Sequence, residues 1–244
     1  LRGAIYDRHG RVLADNRPAF NVVLVPEDTP DVNLTLAALS RYVVENAAFV
    51  DGVLPRDPRR PPYEGLVIAK DVTWVTLAAV EAHQFDIPGV NVEVSTKRYY
   101  PAEDLAAHLL GYVGEVSPRE LASLSGYRMG DLIGKFGIEK RLEADLRGKG
   151  GGQQIEVDAL GKRLRVLGEV EARAGKSVVL SIDLALQRKT EEVLEGKEGA
   201  IVVLDVHTGE VLAMASRPGF NPNLFARGIK AGEWRSLIED PLRP

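Results

Sequence analysis

Lysine, serine and glycine residues form the patterns in this 244-residue chain that come nearest to catalytic motifs. Gly175-Lys176-Ser177 has the ending of a phosphate-binding loop, but Val170 stands where that pattern requires its first glycine. Gly148–Gly152 falls short of a dinucleotide-binding fingerprint, because Gln153 replaces the last glycine. No G-x-S-x-G serine elbow occurs in the chain. The sequence therefore predicts no active site of these kinds.

Composition excludes further classes of chemistry. The chain has no cysteine, so disulfides and thiolate metal sites are excluded, and its 4 histidines lack metal-ligand spacing. We therefore expect no metal and no cofactor, and we interpret His9 and His207 as solvated turn residues. The net charge of −4 with mixed signs gives no basic patch, which argues against nucleic acid as a partner.

Three segments with the same turn chemistry are predicted to form β-hairpins. In each of them two apolar strands flank a turn that begins with aspartate and closes with glycine, a residue that tolerates positive φ. The strands of Gly199–Ser216 are the most apolar, and they need a sheet beside them. The three turns run from Asp7 to Gly10, from Asp158 to Gly161 and from Asp205 to Gly209.

The second strand of the first hairpin is predicted to end at Ala14, a further strand is predicted over Phe20–Val25, and helical periodicity begins after it. Asn33 is a plausible cap for a first helix, and Asp71 for a second that contains Trp74, Leu77 and Val80. We predict that these three apolar residues form the core of a small inserted α+β lobe. The alternative is that part of the lobe is a docking surface for a partner. A loop is predicted over 51–62 and a strand over 66–69.

The second half of the chain carries clearer boundary signals. Ser117-Pro118-Arg119-Glu120 is a capping box with proline in the first turn, and Asp183 is predicted to cap a helix over 184–194. One continuous helix is predicted over 137–146, and a last short helix over 233–238. The longest apolar runs are of strand length, well below the about 18 residues that a membrane helix requires.

Several motifs, in order, resemble those of class B penicillin-binding proteins. Each of them is weak alone, but their shared order and spacing is specific. The HLLGYVG form of one motif favours the elongation type, penicillin-binding protein 2. The motifs are Arg2–Gly10 with Leu13-Ala14, Arg98–Pro101, His108–Gly114, Gly137–Glu139, Asp183–Gln187, Gly199–Ser216 and Pro218–Asn223.

The resemblance implies an α+β, elongated, multi-lobed pedestal of β-hairpins and short helices, followed by an incomplete transpeptidase-type sheet. We expect a first pedestal part at 1–30, an inserted head or anchor lobe at 31–88, a second pedestal part at 89–175 and the start of a transpeptidase domain at 176–244. It also implies a single N-terminal anchor in the bacterial cytoplasmic membrane, absent from this chain, with the bulk on the extracytoplasmic face.

The family's catalytic motifs S-x-x-K, S-x-N and K-T-G do not occur in the chain. The resemblance implies that the parent protein is a peptidoglycan D,D-transpeptidase. Because the three motifs are missing, this chain itself is expected to be inactive. Stem peptides and β-lactams would bind only to the catalytic domain that is missing. The resemblance implies RodA, a membrane glycosyltransferase of the SEDS group, as the partner that the pedestal activates, and other elongation-complex proteins are possible. The alternatives are a division-type protein and a non-catalytic extracytoplasmic binding module.

Arg2, Arg98 and Glu139 occupy three separate motifs of the family. We hypothesise that Glu139 accepts hydrogen bonds from at least one of these arginines, because a guanidinium presents a planar fork suited to a carboxylate. The alternative is three solvated charges. Further structural positions in these motifs are Asp7, Gly10, Gly137, Asp183, Gln187, Asp205 and Gly209. The hairpin at 199–216 is expected to be less buried than its apolar content indicates.

Overall fold

A computed structural model describes residues 1–43, 61–158 and 163–241. The protein is α+β, as the sequence predicted, and combines small sheets with short helices. Its strands and helices are β1 (Ile5–Tyr6), β2 (Val12–Leu24), α1 (Val32–Leu39), β3 (Leu66–Ala69), α2 (Trp74–Ala82), β4 (Val90–Tyr99), α3 (Ala107–Leu110), β5 (Val113–Glu115), α4 (Pro118–Ser123), β6 (Leu132–Gly134), α5 (Gly137–Arg141), α6 (Glu143–Leu146), β7 (Gly152–Val157), β8 (Arg163–Val170), β9 (Val178–Val179), α7 (Leu184–Val193), β10 (Gly199–Leu204), β11 (Val211–Arg217), α8 (Asn223–Ala226) and α9 (Ala231–Glu239).

The chain divides into two compact units, both discontinuous in sequence. Unit 1 comprises Leu1–Arg17, Lys97–Gly150 and Ala172–Pro244, and unit 2 comprises Pro18–Thr96 and Gly151–Glu171. Strands β2 and β4 contribute residues to both units. The domain bounds expected from the family resemblance stay a prediction.

Unit 1 is built around the short strand β1. This strand pairs antiparallel with the start of β2, where Ile5 lies opposite Ala14, and parallel with β9, where Ile5 lies opposite Val178. Apolar side chains from β1, β2, α3 and α6 then form one buried core. Its fully buried members are Ile5, Leu13, Ala14, Tyr100, Ala106, Leu110, Val113 and Leu146, with Ala226 at its margin.

Two of the predicted hairpin turns have the predicted chemistry. The Asp7 carboxylate accepts hydrogen bonds from the backbone N–H groups of His9 and Arg11 at 2.9 and 2.8 Å, and Gly10 has φ +77°. The Asp205 carboxylate accepts from the N–H groups that follow it, and Gly209 has φ +75°. The turn predicted between Asp158 and Gly161 lies largely outside the described residues.

Strand β2 corrects the sequence analysis. The prediction was one strand that ends near Ala14 and another that begins at Phe20, but Val12–Leu24 is one continuous strand. The polar residues between them do not break it, because Asn16 is held in the extended chain by its side-chain hydrogen bond to the Arg2 carbonyl at 2.6 Å.

Unit 2 forms its own core beneath the end of β2. Val22 lies opposite Ala69 and Leu24 opposite Leu66 on β3, and helices α1 and α2 contribute Leu39 and Val80 to the buried cluster. The predicted strand over 66–69 is therefore confirmed. Most of the loop predicted over 51–62 lies outside the described residues.

Both predicted helix caps in unit 2 were wrong by two residues. The side chain of Asp31 caps α1, and that of Thr73 caps α2, each by accepting from an N–H in the first helical turn. Asn33 is already inside the helix, and Asp71 instead adopts a left-handed backbone with φ +53°. An N-cap must immediately precede the first helical residue, so periodicity alone located the helices but not their caps.

The prediction that Trp74, Leu77 and Val80 form a core was right in part, since Leu77 is only partly buried. Val80 is 1% exposed, whereas Trp74 is 73% exposed and contacts the Phe20 ring at a centroid distance of 4.8 Å. Helix α2 is apolar on all sides, so its sequence gives no amphipathic signal for which face is covered.

In unit 1, the capping box at Ser117 and the Asp183 cap of α7 are confirmed. The single helix predicted over 137–146 is divided into α5 and α6 at Leu142, which leaves helical geometry at φ −106° and ψ 23°. On the β10–β11 hairpin, Ala213 and Ala215 are buried but Val202, Leu204 and Met214 are each about half exposed. The hairpin is thus less buried than its composition indicates, as expected.

Across the described ranges, no helix has the length and apolar character needed to cross a membrane. Over the same residues, no group of three or more histidine, cysteine or acidic side chains is arranged to hold a metal ion.

Candidate functional site

Glu139 is the centre of a buried polar cluster in unit 1. It lies on α5 and is 0% exposed. One of its carboxylate oxygens accepts from Arg98 Nε at 2.7 Å and from the Tyr100 hydroxyl at 3.2 Å, while the other accepts from Arg2 Nε at 2.6 Å. The structure thus brings together the three charged residues that sequence analysis selected, together with a tyrosine that it did not.

The two arginines also bind groups beyond the Glu139 carboxylate. Arg2 donates to the Glu139 carbonyl at 2.8 Å and forms an ion pair with Glu143 at 2.7 Å, and Arg98 donates to the Gly3 carbonyl at 2.8 Å. The N-terminal segment, the end of β4 and helices α5 and α6 are therefore joined by one network. Each arginine reaches two segments at once, because its planar fork presents several donors.

The surroundings inside the cluster raise the pKa values of two of its members, Arg2 and Tyr100. The side chains of Arg2 and Arg98 are 11% and 1% exposed, so the pairs with Glu139 are largely withdrawn from water. Burial alone would lower the pKa of Arg2, but Glu139 and Glu143 outweigh it and raise that pKa. Burial and the nearby Glu139 charge also raise the pKa of Tyr100, which keeps its hydroxyl protonated as a donor.

Glycines make the approach of α5 to this cluster possible. A Cβ on Gly111, which has φ +75°, would lie 1.9 Å from the Phe136 carbonyl oxygen. A Cβ on Gly137, which has φ +59°, would lie 2.6 Å from the Gly111 nitrogen and from the Leu109 carbonyl oxygen. The backbones of two family motifs cross at these glycines, and no larger residue fits there without moving the backbone.

A second cluster joins the first turn to the start of α7. Besides the amides of its own turn, Asp7 accepts from the Leu184 N–H at 3.1 Å. Asp183 accepts from the Ala185 and Leu186 N–H groups and lies 3.2 Å from His9 Nε2. Burial acts to raise the pKa of Asp7, yet these backbone donors lower it overall. His9 is therefore a turn residue, as predicted, that also contacts the α7 cap.

A third cluster centres on Gln187 and Glu191 of α7. The Gln187 side-chain amide donates to the Met214 carbonyl at 2.9 Å and accepts from the Met214 N–H at 2.8 Å, as a neighbouring strand would. Glu191 accepts from Gln187 at 2.8 Å and from the Ala106 N–H at 2.6 Å. Arg217 then bridges Glu191 and Asp104 at 3.1 and 2.9 Å.

The arrangement of these clusters is structural. The carboxylates of Asp7, Glu139, Asp183 and Glu191 each accept two or more hydrogen bonds from arginine, amide or hydroxyl donors, so their capacity is used in fixing backbone segments. The geometry of these four carboxylates therefore supports a role in positioning the backbone. Gly10, Asp205 and Gly209 remain in their own turns, apart from the network around Glu139.

Sequence analysis missed several participants. Tyr100 and Asn223 lie in motifs that were recognised, and Asn223 pairs with both the N–H and the carbonyl of Tyr100, at 3.0 and 2.9 Å. Glu143 lies four residues after Glu139, on the same side of a helical pattern, which is a usable signal. Glu191 and Arg217 had no signal, because their partners are far away in sequence.

Comparison with known proteins gives matches over most or all of the chain. A protein-family model described as the penicillin-binding protein dimerisation domain matches residues 1–180. The peptidoglycan D,D-transpeptidase MrdA of Acinetobacter baumannii is 39% identical over 99% of this chain, and that of Escherichia coli K12 is 34% identical over 100%. The chain spans only 37% and 39% of these two proteins, well under half of their length.

Solved structures also match all or nearly all of the chain. Penicillin-binding protein 2 (PBP2) of Helicobacter pylori, in its complex with MreC, covers 100% of this chain with a TM-score of 0.83 at 30% identity. A solved peptidoglycan synthase complex that coordinates polymerisation and crosslinking contains a chain that covers 98% of this one, with a TM-score of 0.64 at 33% identity. The chain spans 46% and 42% of these structures.

Proposed function

Because this chain belongs to the penicillin-binding protein dimerisation-domain family, we propose that it is the non-catalytic pedestal of an elongation-type peptidoglycan D,D-transpeptidase. The observation that carries the proposal is the match of the entire chain to PBP2 of H. pylori, with a TM-score of 0.83. The MrdA relatives, which have the same activity in their names, support the same assignment.

In this proposal the chemistry belongs to the remainder of the protein. Its serine would attack an amide carbonyl of one stem peptide, expel the C-terminal residue as a free amine and form an ester. An amine of a second stem peptide would then attack that ester, which forms the cross-link and frees the serine. The pedestal would supply geometry. The Glu139 network would hold the N-terminal segment in a fixed position, and the Asp7 and Gln187 clusters would hold α7 and the β10–β11 hairpin, from which the transpeptidase sheet would continue.

We further propose that the pedestal binds and activates a SEDS glycosyltransferase of the RodA kind. The protein would be anchored in the cytoplasmic membrane with this region on the extracytoplasmic face, where polymerisation and cross-linking meet. A relative solved within a peptidoglycan synthase complex and another solved with MreC support a place in the elongation assembly.

The apolar face of α2 is the surface that we assign to an elongation-complex partner. It consists of Trp74, Val75, Ala78 and Ala82, extended by Phe85 one turn later. Trp74, Val75 and Phe85 are 73%, 79% and 103% exposed, respectively. Exposed apolar residues that recur on successive turns are typical of a docking surface. This favours the docking alternative over the core interpretation for this side of the lobe.

Labelling with a fluorescent penicillin tests the catalytic part of the proposal. The 244-residue chain should take up no covalent label, whereas a version extended to the length of the MrdA relatives should be labelled at one serine. Absence of label on the extended version would contradict the transpeptidase assignment. Co-purification of that version with the RodA-type protein of the same cells tests the partner separately, and failure to recover the two together would contradict the proposed contact.

A further inference from the structure

The β7–β8 ribbon of unit 2 carries an apolar pair at the middle of one face and an ion pair on the other face. Ile155 lies opposite Val166, and strand alternation places Val157 on the same face as Ile155. On the other face Glu156 lies opposite Arg165, and the two side chains form an ion pair at 2.5 Å. The sequence thus specifies which face should be covered.

The apolar face is nevertheless open. On this face Val157 and Val166 are 41% and 47% exposed, and Ile155 is partly buried. The two bulged leucines of β8, Leu164 and Leu167, are exposed by half or more. A two-stranded ribbon is only marginally stable in water, and further strands with a shared apolar face stabilise it. The ribbon therefore has the character of half of a larger sheet.

The two edges of the ribbon differ. Strand β8 has two register shifts, which leave Leu164 and Leu167 without an opposite residue, and bulges of this kind obstruct pairing along an edge. Strand β7 is regular, since each of its six residues has a partner on β8, and it contains no proline or lysine. Its other edge pairs with no strand among the residues that the structure describes.

We propose that the free edge of β7 pairs antiparallel with β7 of a second copy of this chain, with the twofold axis at Ile155. In this register Ile155 lies opposite its own copy, Gln153 opposite Val157, and Gln154 opposite Glu156. No like charges face each other, and Val166, Ile155 and their two copies form one unbroken apolar row across the resulting four-stranded sheet. The description of the family names dimerisation, and this pairing would locate the dimer contact at the edge of β7. The proposal does not depend on the proposed function.

Alternative registers of the same strand are poorer. A twofold axis at Glu156 places this carboxylate opposite its own copy, and like charges in that position destabilise a sheet. An axis at Gln154 places Gln153 opposite Ile155, so a polar amide interrupts the apolar row that Ile155 and Val166 form. The charge and polarity of β7 therefore select the axis at Ile155.

Charge variants at Gln154 test the register in solution. Because Gln154 faces Glu156 twice in each dimer, Gln154→Lys should tighten the dimer and Gln154→Glu should loosen it, each by roughly two- to thirtyfold. Gln153→Lys and Gln153→Glu are matched controls with the same change of net charge, but they face Val157. Sedimentation equilibrium of the 244-residue chain measures the dissociation constant. A chain that stays monomeric, or equal effects at both positions, would overturn the proposal.

Cysteine cross-linking tests the axis independently of affinity. The chain has no cysteine, so a single introduced thiol reports on its position alone. Opposite residues of an antiparallel pair have Cα atoms about 4.5–5.5 Å apart, within the range that a disulfide spans. Ile155→Cys should form a cross-linked dimer under mild oxidation, and Gln153→Cys, which faces Val157, should not. Cross-linking at neither position, or at both equally, would exclude this axis.

Discussion

Glu139 shows how the hydrogen bonds of one residue can hold three distant segments of a chain together. Its carboxylate is fully buried and accepts three hydrogen bonds, two from arginines that lie 137 and 41 residues away. Removing such ions from water costs free energy, so the cluster is a poor source of net stability but a strong constraint on geometry. That constraint is what a pedestal requires.

Replacement of Glu139 by glutamine should therefore be severe. It leaves the Arg98 charge buried without its carboxylate, and loss of one partner of a buried pair costs about 3–5 kcal/mol. Urea denaturation of the 244-residue chain measures the change in the free energy of unfolding. The control is Glu192→Gln, which removes the exposed Lys189–Glu192 pair and should cost about 0–1 kcal/mol. Equal losses in the two variants would contradict the network's role.

Acid sensitivity is expected at Glu120, the carboxylate of the α4 capping box. Hydrogen bonds from Lys135 and from Ser117 lower the pKa of Glu120 from 4.5 to about 2. A lowered folded-state pKa stabilises the fold above pH 4.5, and this contribution disappears as the pH falls towards 2. Since Glu120 is about one third exposed, the effect should stay below about 1 kcal/mol.

The measurement compares the pH dependence of unfolding in three proteins. Between pH 4.5 and 2 the wild type should lose more stability than Glu120→Gln, which lacks this titration. Glu81→Gln, at an exposed position of α2, should follow the wild type. If Glu120→Gln were as acid-sensitive as the wild type, the proposed origin of the shift would be wrong.

At the scale of elements, turns and capping boxes could be predicted because their signals are local. Asp205 with Gly209, Ser117 with Glu120 and Asp183 each act within a few residues of their own position. Strand β2 and the α2 cap could not be predicted, since Asn16 is held by a distant carbonyl and Thr73 competed with Asp71. The cluster at Glu191 depends entirely on tertiary structure, so no pattern in the sequence could indicate it.

The close approach of Gly111, at the end of α3, to the start of α5 predicts how much stability a larger residue there would cost. Gly111→Ala adds both the strain of a positive φ and a clash with the Phe136 carbonyl, whereas Gly126→Ala adds the strain alone, because no atom lies within 4 Å of its Cβ. Strain of this kind costs about 1–3 kcal/mol, so Gly126→Ala should lose that much and Gly111→Ala clearly more. Thermal unfolding compares them, and equal losses would show that the close approach is unimportant.

At the scale of the whole molecule, the α2 face is expected to contribute to assembly with a partner and little to folding stability. Its large side chains are mostly exposed, so Trp74→Glu with Phe85→Glu should leave the melting temperature within a few degrees of the wild type. The same double variant should bind its elongation-complex partner less tightly, because a charge in an apolar interface is costly to desolvate. Met129→Glu, at an exposed methionine in unit 1, is the control and should bind normally. A large fall in melting temperature would show that Trp74 and Phe85 belong to the core instead.

The most direct measurement of the central claim is glycan polymerisation by the RodA-type partner in proteoliposomes. The protein, extended to the length of its MrdA relatives, is added with its transpeptidase activity blocked by penicillin. We predict that the rate of lipid-linked glycan synthesis rises several-fold with the wild type and with Met129→Glu, and returns towards the rate of the partner alone with the Trp74→Glu, Phe85→Glu variant. An unchanged rate when the wild-type protein is present would contradict the account of this chain as an activating pedestal.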